Sequence, residues 1–508
     1  TFRNPPQKDS QTSGRAINAD GANIKGAVFL REGFIAEGEV RLPGAQIGGQ
    51  LDCTGGKFTN PPRKDIPNSG RALTADGLEV GGEVHFGGGF RSEGEVRIHG
   101  AHIRGNLLCE NGAFTNPPQD GLPESGNALG ATGVVVKGAI FLSHGFAANG
   151  AIRLSGARVG RDIVCCGATL QGPVNDRLGQ PGITLFADGV IVEGGVLLGE
   201  GFSTEGNLWW MGVQTGADFD CTGARFAQLT AQRARIGGRL FLDGLLNAEN
   251  TTIDLKNASV TALVDDDSSW PRKGRLHLDG FVYDRIARGP IDAKNRLEWL
   301  SRQAAFEPQP YRQLAKVLRE MGDEGGARNV LIEAGRRGWE QSHRGWSGQV
   351  SSWFLRTTIA YGVTPTRAFW WLLALTLAGT MLFGLGYLAG SITPTSSEAY
   401  ATFEKQGWPP RNYQAFNPVI FALENSVPVL KLGQDNAWEP VPGSRELERP
   451  GAVNISSLKW VGSVSGKYFP EWIMSSWLLR GYRWLQIVMG WVLATLFIAG
   501  VTGVVRKE

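Results

Sequence analysis

Cysteine is scarce: five in 508 residues, far too few for the disulfide framework of a small secreted domain. Charge of one sign is missing as well. The 51 Lys and Arg stand against 48 Asp and Glu, a net +3, so no global electrostatic case for nucleic acid exists. The glycines never form a strand–GxGxxG–helix unit, which leaves a dinucleotide site without support. The six histidines follow no repeat, and no pairing of a nucleophile with a base can be drawn. Helical periodicity is absent from the first 280 residues. What is there is uneven. Of 71 glycines, 46 lie in the first 244 residues, and of 16 tryptophans, 13 lie after residue 295. A chain of this length has room for two to four domains, and its composition says they are of two kinds.

Laid on itself at a spacing of 56 residues, the first part repeats. Gly21, Gly77, Gly133 and Gly189 align, as do Gly44, Gly100, Gly156 and Gly212. Gly33-Phe34 returns as Gly89-Phe90, Gly145-Phe146 and Gly201-Phe202. Phe2 with Asn4-Pro5-Pro6 is an earlier copy of Phe58 with Asn60-Pro61-Pro62 and of Phe114 with Asn116-Pro117-Pro118, so the natural start is expected upstream of Thr1. Within a unit, "VFL" at Val28, "VRL" at Val40 and "LDC" at Leu51 alternate apolar and polar, the mark of short strands with one buried face. Val28 to Leu51 is 23 residues; Leu51 to Val84 is 33, the excess being the loop "TNPPRKDIPNSG". The expected fold is mainly β: a parallel β-solenoid of about 23 residues per coil in a 56-residue double-coil repeat, spanning residues 1–285.

Cys53, Cys109, Cys165 and Cys221 recur at the repeat spacing. Coils stack ~4.8 Å apart, so thiols two coils apart are separated by roughly 9–10 Å. A disulfide needs Cα atoms within ~7 Å, and a metal needs all its ligands around one ion. The thiols are therefore expected to alternate with Leu30, Phe86, Leu142 and Leu198 as small buried hydrophobes. Cys166 should point outward and be the one reactive thiol. Arg41, Arg97 and Arg153, joined by Trp209, form an outward column with Glu39 and Glu95 a step away. It reads as a solvated face or as a ladder for an anionic partner. His99 and His102 have ligand-like spacing but no recurring carboxylate or thiol beside them.

After residue 285 the period changes. Residues 286–367 read as a helical linker that caps the open end of the solenoid, with Leu314, Val317, Leu318 and Met321 on one stripe. Residues 368–390 and 484–505 contain no charge and are long enough to cross a bilayer. Trp370, Trp371, Trp484 and Trp491 suit the interfacial belt, and the positive-inside rule puts the solenoid and the tail, residues 506–508, on the cytoplasmic side, with residues 391–483 opposite. Gly386, Gly390, Gly500 and Gly503 favour close helix packing.

The stretches "YRQLAKVLREMGDEGGARNVLIEA", "IAYGVTPTRAFWWLLAL", "FNPVIFALENSVPVLKLGQDNAW" and "GWVLATLFIAGVTGVVRK" resemble the C-terminal half of a family of bacterial membrane proteins. These join a glycine-rich β-helix to a two-span tail and are often filed as hypothetical or as membrane-associated oxidoreductases. The resemblance covers roughly residues 290–508 and the style of the repeat. It implies integration in the bacterial cytoplasmic membrane. Nothing in these residues supports redox chemistry.

The function expected from the sequence is a membrane-anchored scaffold or interaction protein rather than an enzyme, without catalytic residues, metal or cofactor. Its partners would be the bilayer, a protein or membrane complex, or further copies of itself, and not nucleic acid. The candidate contact residues are the arginine column with Trp209 and the stacked loops at Asn60, Pro61, Pro62, Asn116, Pro117 and Pro118. An alternative is a two-span pore in which Pro418 to Asp435 re-enters the membrane, with Glu424 and Asp435 in the filter region. A third reading is an enzyme working in a groove of the solenoid, which would need clustered carboxylates.

Overall fold

The computed structural model describes residues 1–8, 14–66, 68–122, 125–172, 174–175, 180–343, 345–406, 408–427, 429–440 and 476–502. The chain divides into two compact units, Thr1–Leu331 and Ile332–Glu508.

The first unit is mainly parallel β-structure, stacked in the manner of a β-solenoid. Its strands are only two to seven residues long, and they line up in three long sheets of eight, eleven and nineteen strands. Val28 pairs with Leu51, Leu51 with Val84, Val84 with Leu107 and Leu107 with Ile140. Short strands suffice because each is hydrogen-bonded on both sides by its neighbours in the stack. The inward positions Val40, Val84, Val96, Leu107, Ile140 and Ile152 are fully buried. Phenylalanines from successive strands stack into a ladder. The centroids of Phe2 and Phe34 are 5.7 Å apart, and those of Phe58, Phe90 and Phe114 follow at 5.2 Å. Rings at that spacing attract beyond the area they bury.

Two helices close this unit, α1 (Ala293–Ser301) and α2 (Pro308–Glu320). Among the described residues, the last long strand, Val282–Arg288, pairs with a strand on one side alone. Glutamines of α2 take the place of a second: Gln313 Nε2 donates to the Tyr283 carbonyl at 2.6 Å and Gln309 Nε2 to that of Phe281 at 3.2 Å. Arg296 of α1, fully buried, holds Asp265 through two bonds of 2.8 and 2.7 Å. Such a pair is strongly destabilising to break from one side. The expected stripe is there in Leu314, Val317 and Leu318, all buried, but Met321 is exposed because it lies just past the end of α2. The helical linker thus does not form one body: α1 and α2 group with the β-structure, and the unit boundary falls within α3 (Glu324–Ser342).

The second unit contains α4 (Trp346–Thr358), α5 (Thr366–Leu388), α6 (Ser397–Gln406), α7 (Pro418–Ser426), α8 (Gln434–Ala437) and α9 (Ser476–Val501), with a two-stranded ribbon of Ile392–Pro394 and Trp438–Pro440. Among the described residues, α5 and α9 are the two helices long and apolar enough to cross a membrane. They pack on each other and on α7. α9 is already helical at Ser476, earlier than the expected 484. Arg480 and Arg483 interrupt the apolar run without ending the helix, because Arg480 Nε reaches the Pro440 carbonyl at 2.8 Å and Arg483 Nε the Asn425 side chain at 3.2 Å.

The small residues act as expected in part. A Cβ on Gly386 would meet Leu479 at 2.7 Å and one on Gly500 would meet Pro365 at 2.4 Å. Gly390 does something else: at φ +78° it terminates α5, and the Ser391 N–H returns to the Gly386 carbonyl at 2.8 Å. Gly503 lies outside the described residues.

Candidate interaction site

The segments from Asn60 and Asn116 leave the sheet as loops and return at Arg71 and Asn127. Asn60 is fully buried, its Nδ2 donating to the carbonyls of Asn68 and Arg71 at 2.8 Å each. Asn116 Nδ2 makes the equivalent bond to Asn127 at 2.7 Å, and Asn4 to Arg15 at 2.9 Å. The next strand must pass close to these asparagines. A Cβ on Gly94 would sit 2.5 Å from the Asn60 carbonyl, and one on Gly150 2.6 Å from that of Asn116. Both glycines also adopt positive φ. Asn60 and Asn116 are therefore clamps that shut the loop base, not contact residues offered to a partner. Pro62 is buried too, while Pro61 and Pro117 are half-buried and Pro118 is exposed.

Ser69 and Ser125, which the sequence reading passed over, complete the loop. Ser69 Oγ accepts the Arg63 N–H at 3.0 Å and donates to the Ile66 carbonyl at 2.9 Å. Ser125 accepts from Gln119 at 2.7 Å and donates to Leu122 at 2.6 Å. The signal was available: Ser13-Gly14, Ser69-Gly70 and Ser125-Gly126 recur at the repeat spacing.

The arginine column exists in register: Arg41 pairs across Thr74 with Arg97, and Arg97 across Gly130 with Arg153, followed by Phe186 and Trp209. Its first two members are already occupied. Asp20 grips Arg41 through bonds of 3.2 and 2.8 Å, and Asp76 grips Arg97 through 3.1 and 2.7 Å. The third repeat has Thr132 where the others have Asp20 and Asp76. Arg153 turns instead to Asn127 Oδ1 at 2.7 Å and lies 4.1 Å from the Phe186 ring centroid. Trp209 packs edge-on against Phe186 at 5.8 Å. Glu39 is buried and bonds Thr74 Oγ1 at 2.5 Å as well as Arg41.

Arg41 meets the loops in one cavity of ≈ 540 Å³. Arg63, Lys64 and Arg71 line it beside Glu39 and Asp65, with Pro62 from one loop and Leu122 from the next. Arg41 is already held by Asp20 and Glu39, whereas Arg63 and Lys64 are exposed at the cavity, which suits an anionic group on a partner.

The cysteine column is a packing feature. Backbone bonds link Leu30 to Asp52, Cys53 to His85, Phe86 to Leu108 and Cys109 to Phe141, so thiol and large apolar side chain alternate. The four thiols are buried, and burial pushes each well above the usual range. Cys166 is half-exposed. His99 Nδ1 accepts the Thr132 N–H at 3.1 Å. Burial, and then Arg97, hold its imidazole below the ordinary value. His102 is exposed on a separate strand.

In the second unit, the carboxylate of Glu424 is buried in a ring of backbone donors. Oε1 accepts from Leu432 and Gly433 at 2.8 and 2.9 Å, and Oε2 from Gln434 and Asp435 at 2.9 and 3.1 Å. Four N–H groups use its lone pairs and neutralise much of its charge. Glu424 thus secures the turn before α8, a role that leaves it poorly suited to ligate a passing cation. Burial, followed by the Glu424 carboxylate, pushes the Asp435 carboxyl upward.

No family model, curated protein or solved structure matches this chain.

Proposed function

We propose that the protein is a membrane-anchored solenoid scaffold, an accessory subunit of a larger assembly in the bacterial cytoplasmic membrane. Each 56-residue unit is read as two coils of about 23 residues plus one excursion loop, so the loops recur along one side. The observation that carries the anchor is the exposure of α5 and α9. Met381 is 70% exposed and Trp484 71%, and Leu377 and Val488 are exposed beside them. A soluble protein does not leave such faces to water. The charge preceding α5 is the ground for reading the solenoid as cytoplasmic, and the exposed Arg63 and Lys64 at the cavity are the contact point for an acidic protein partner.

The test is a pair of readouts on the full chain in cells. Reporters inserted in the solenoid and after Glu508 should signal the cytoplasmic side, and one within residues 391–483 the other. Cross-linking from the loops should capture one defined neighbour, lost in Arg63→Glu/Lys64→Glu while the chain stays in the membrane. Unchanged capture would remove the cavity from the account.

A second reading, a pore, draws on α7, which packs against both α5 and α9. The four backbone donors on Glu424 weigh against it. Single-channel steps from purified protein, abolished by Glu424→Gln, would make it the better reading.

A further inference from the structure

The helical unit has another apolar surface, which neither long helix accounts for. The inner face of α4 is packed. Leu355 joins a small core of Ile359, Ala368 and Leu493, Gly348 is buried, and Ser351 Oγ accepts from Trp339 Nε1 at 3.1 Å. The outer face is not. Trp346, Val350 and Trp353 fall at i, i+4 and i+7, on one stripe, and are 80%, 57% and 67% exposed.

Their position limits what can cover them. Trp371 Nε1, in the second turn of α5, donates to the Thr357 carbonyl at 3.1 Å, and Arg367 donates to that of Arg356 at 3.3 Å. The end of α4 is thereby fixed beside the start of α5, where Phe369, Trp370 and Trp371 are also exposed. Tryptophan at the end of a span marks the boundary between headgroups and acyl chains. Two exposed cations, Arg356 and Arg367, stand at the same level. We infer that α4 is an interfacial helix that lies along the bilayer, with Trp346, Val350 and Trp353 in the headgroup–acyl boundary and Arg356 and Arg367 toward anionic headgroups. This rests on reading α5 as a membrane span. The apolar stripe continues the exposed aromatic face of α5, and a lipid surface is the one partner that covers both.

The test labels single cysteines in the full chain in a Cys166→Ser background, where the remaining four thiols are buried. Val350→Cys and Leu377→Cys would each carry an environment-sensitive dye in vesicles of phosphatidylcholine and phosphatidylglycerol. Lipids spin-labelled near the headgroup or at the chain end, and aqueous iodide, serve as quenchers. The Val350 dye should be quenched most by the shallow spin label, at least roughly threefold more than by iodide. The Leu377 dye should be quenched most by the deep label. Adding Trp346→Glu and Trp353→Glu should remove the shallow quenching at 350 and leave the Leu377 profile unchanged. Iodide quenching of the Val350 dye as in free solution, or shielding from both lipid and iodide as under a second protein surface, would overturn the inference while the Leu377 profile upholds the span. A Leu377 dye that no lipid quencher reaches would overturn both.

Discussion

The two units dispose of their apolar side chains in opposite ways. In the solenoid, Val, Leu, Ile and Phe from successive strands vanish into one continuous column. In the helical unit, Trp346, Trp370, Met381 and Trp484 stay outside. The difference is one of solvent. A stack of coils makes its own interior because each coil supplies the wall for the next. A pair of apolar helices cannot enclose itself, and on the proposed reading lipid covers the remainder. Glycine follows the same division. At Gly94 it serves a positive φ and a close backbone approach within the coil; at Gly490 it lets α9 lie against α7, where a Cβ would fall 2.2 Å from the Ser426 carbonyl.

Gly490→Leu should do the most damage. No side chain fits without parting α7 from α9, so the helical unit should lose about 4 kcal/mol or more. Near-ultraviolet circular dichroism in detergent reads this directly, because most tryptophans lie there. A native spectrum with an unchanged melting point would show that the close approach is unimportant. Phe90→Ala tests the other side. It removes one rung from the ladder and should lower stability by roughly 3–5 kcal/mol in chemical unfolding; a loss under about 1 kcal/mol would mean that the column tolerates gaps.

Much of the solenoid was legible because repetition amplifies weak signals. No single "LDC" or Gly-Phe identifies a strand or a corner, but four copies at one spacing do. The same repetition exposed the cysteine column as packing. The loops were read less well. Asn60 and Pro62 look like surface residues in a Pro-rich excursion, and only the return path of the chain reveals that Asn60 faces inward to two carbonyls. Non-repeating contacts stayed hidden altogether. The ring of N–H groups around Glu424 comes from residues that begin eight positions away, and the Gln313 bond to Tyr283 spans 30. Neither has a copy elsewhere to draw attention to it. The start of α9 was misplaced because hydropathy finds the lipid-compatible part of a helix, not its first turn.

The loop correction sharpens into a smaller difference. Asn60→Ala should cost about 1–3 kcal/mol by removing the donor shared by two loop-base carbonyls, whereas Pro61→Ala should stay within about 0.5 kcal/mol. Equal effects on the unfolding midpoint would return Asn60 to the surface. The smallest effect concerns pH. Because His99 is held below its ordinary pKa, the unfolded chain takes up a proton first as pH falls through the histidine range. Solenoid stability should decline there, its His99 share fully present above that range. His99→Asn should flatten the decline slightly; an unaltered slope would assign it to other groups.

The anchor itself is tested most directly by alkaline carbonate extraction of membranes from cells that express the full chain. Carbonate strips proteins held by charge or by partner contacts and leaves those that cross the lipid. The account predicts that the chain sediments with the membranes after extraction, and that Leu377→Arg/Met381→Arg releases it. Complete release of the unaltered chain into the supernatant would contradict the account.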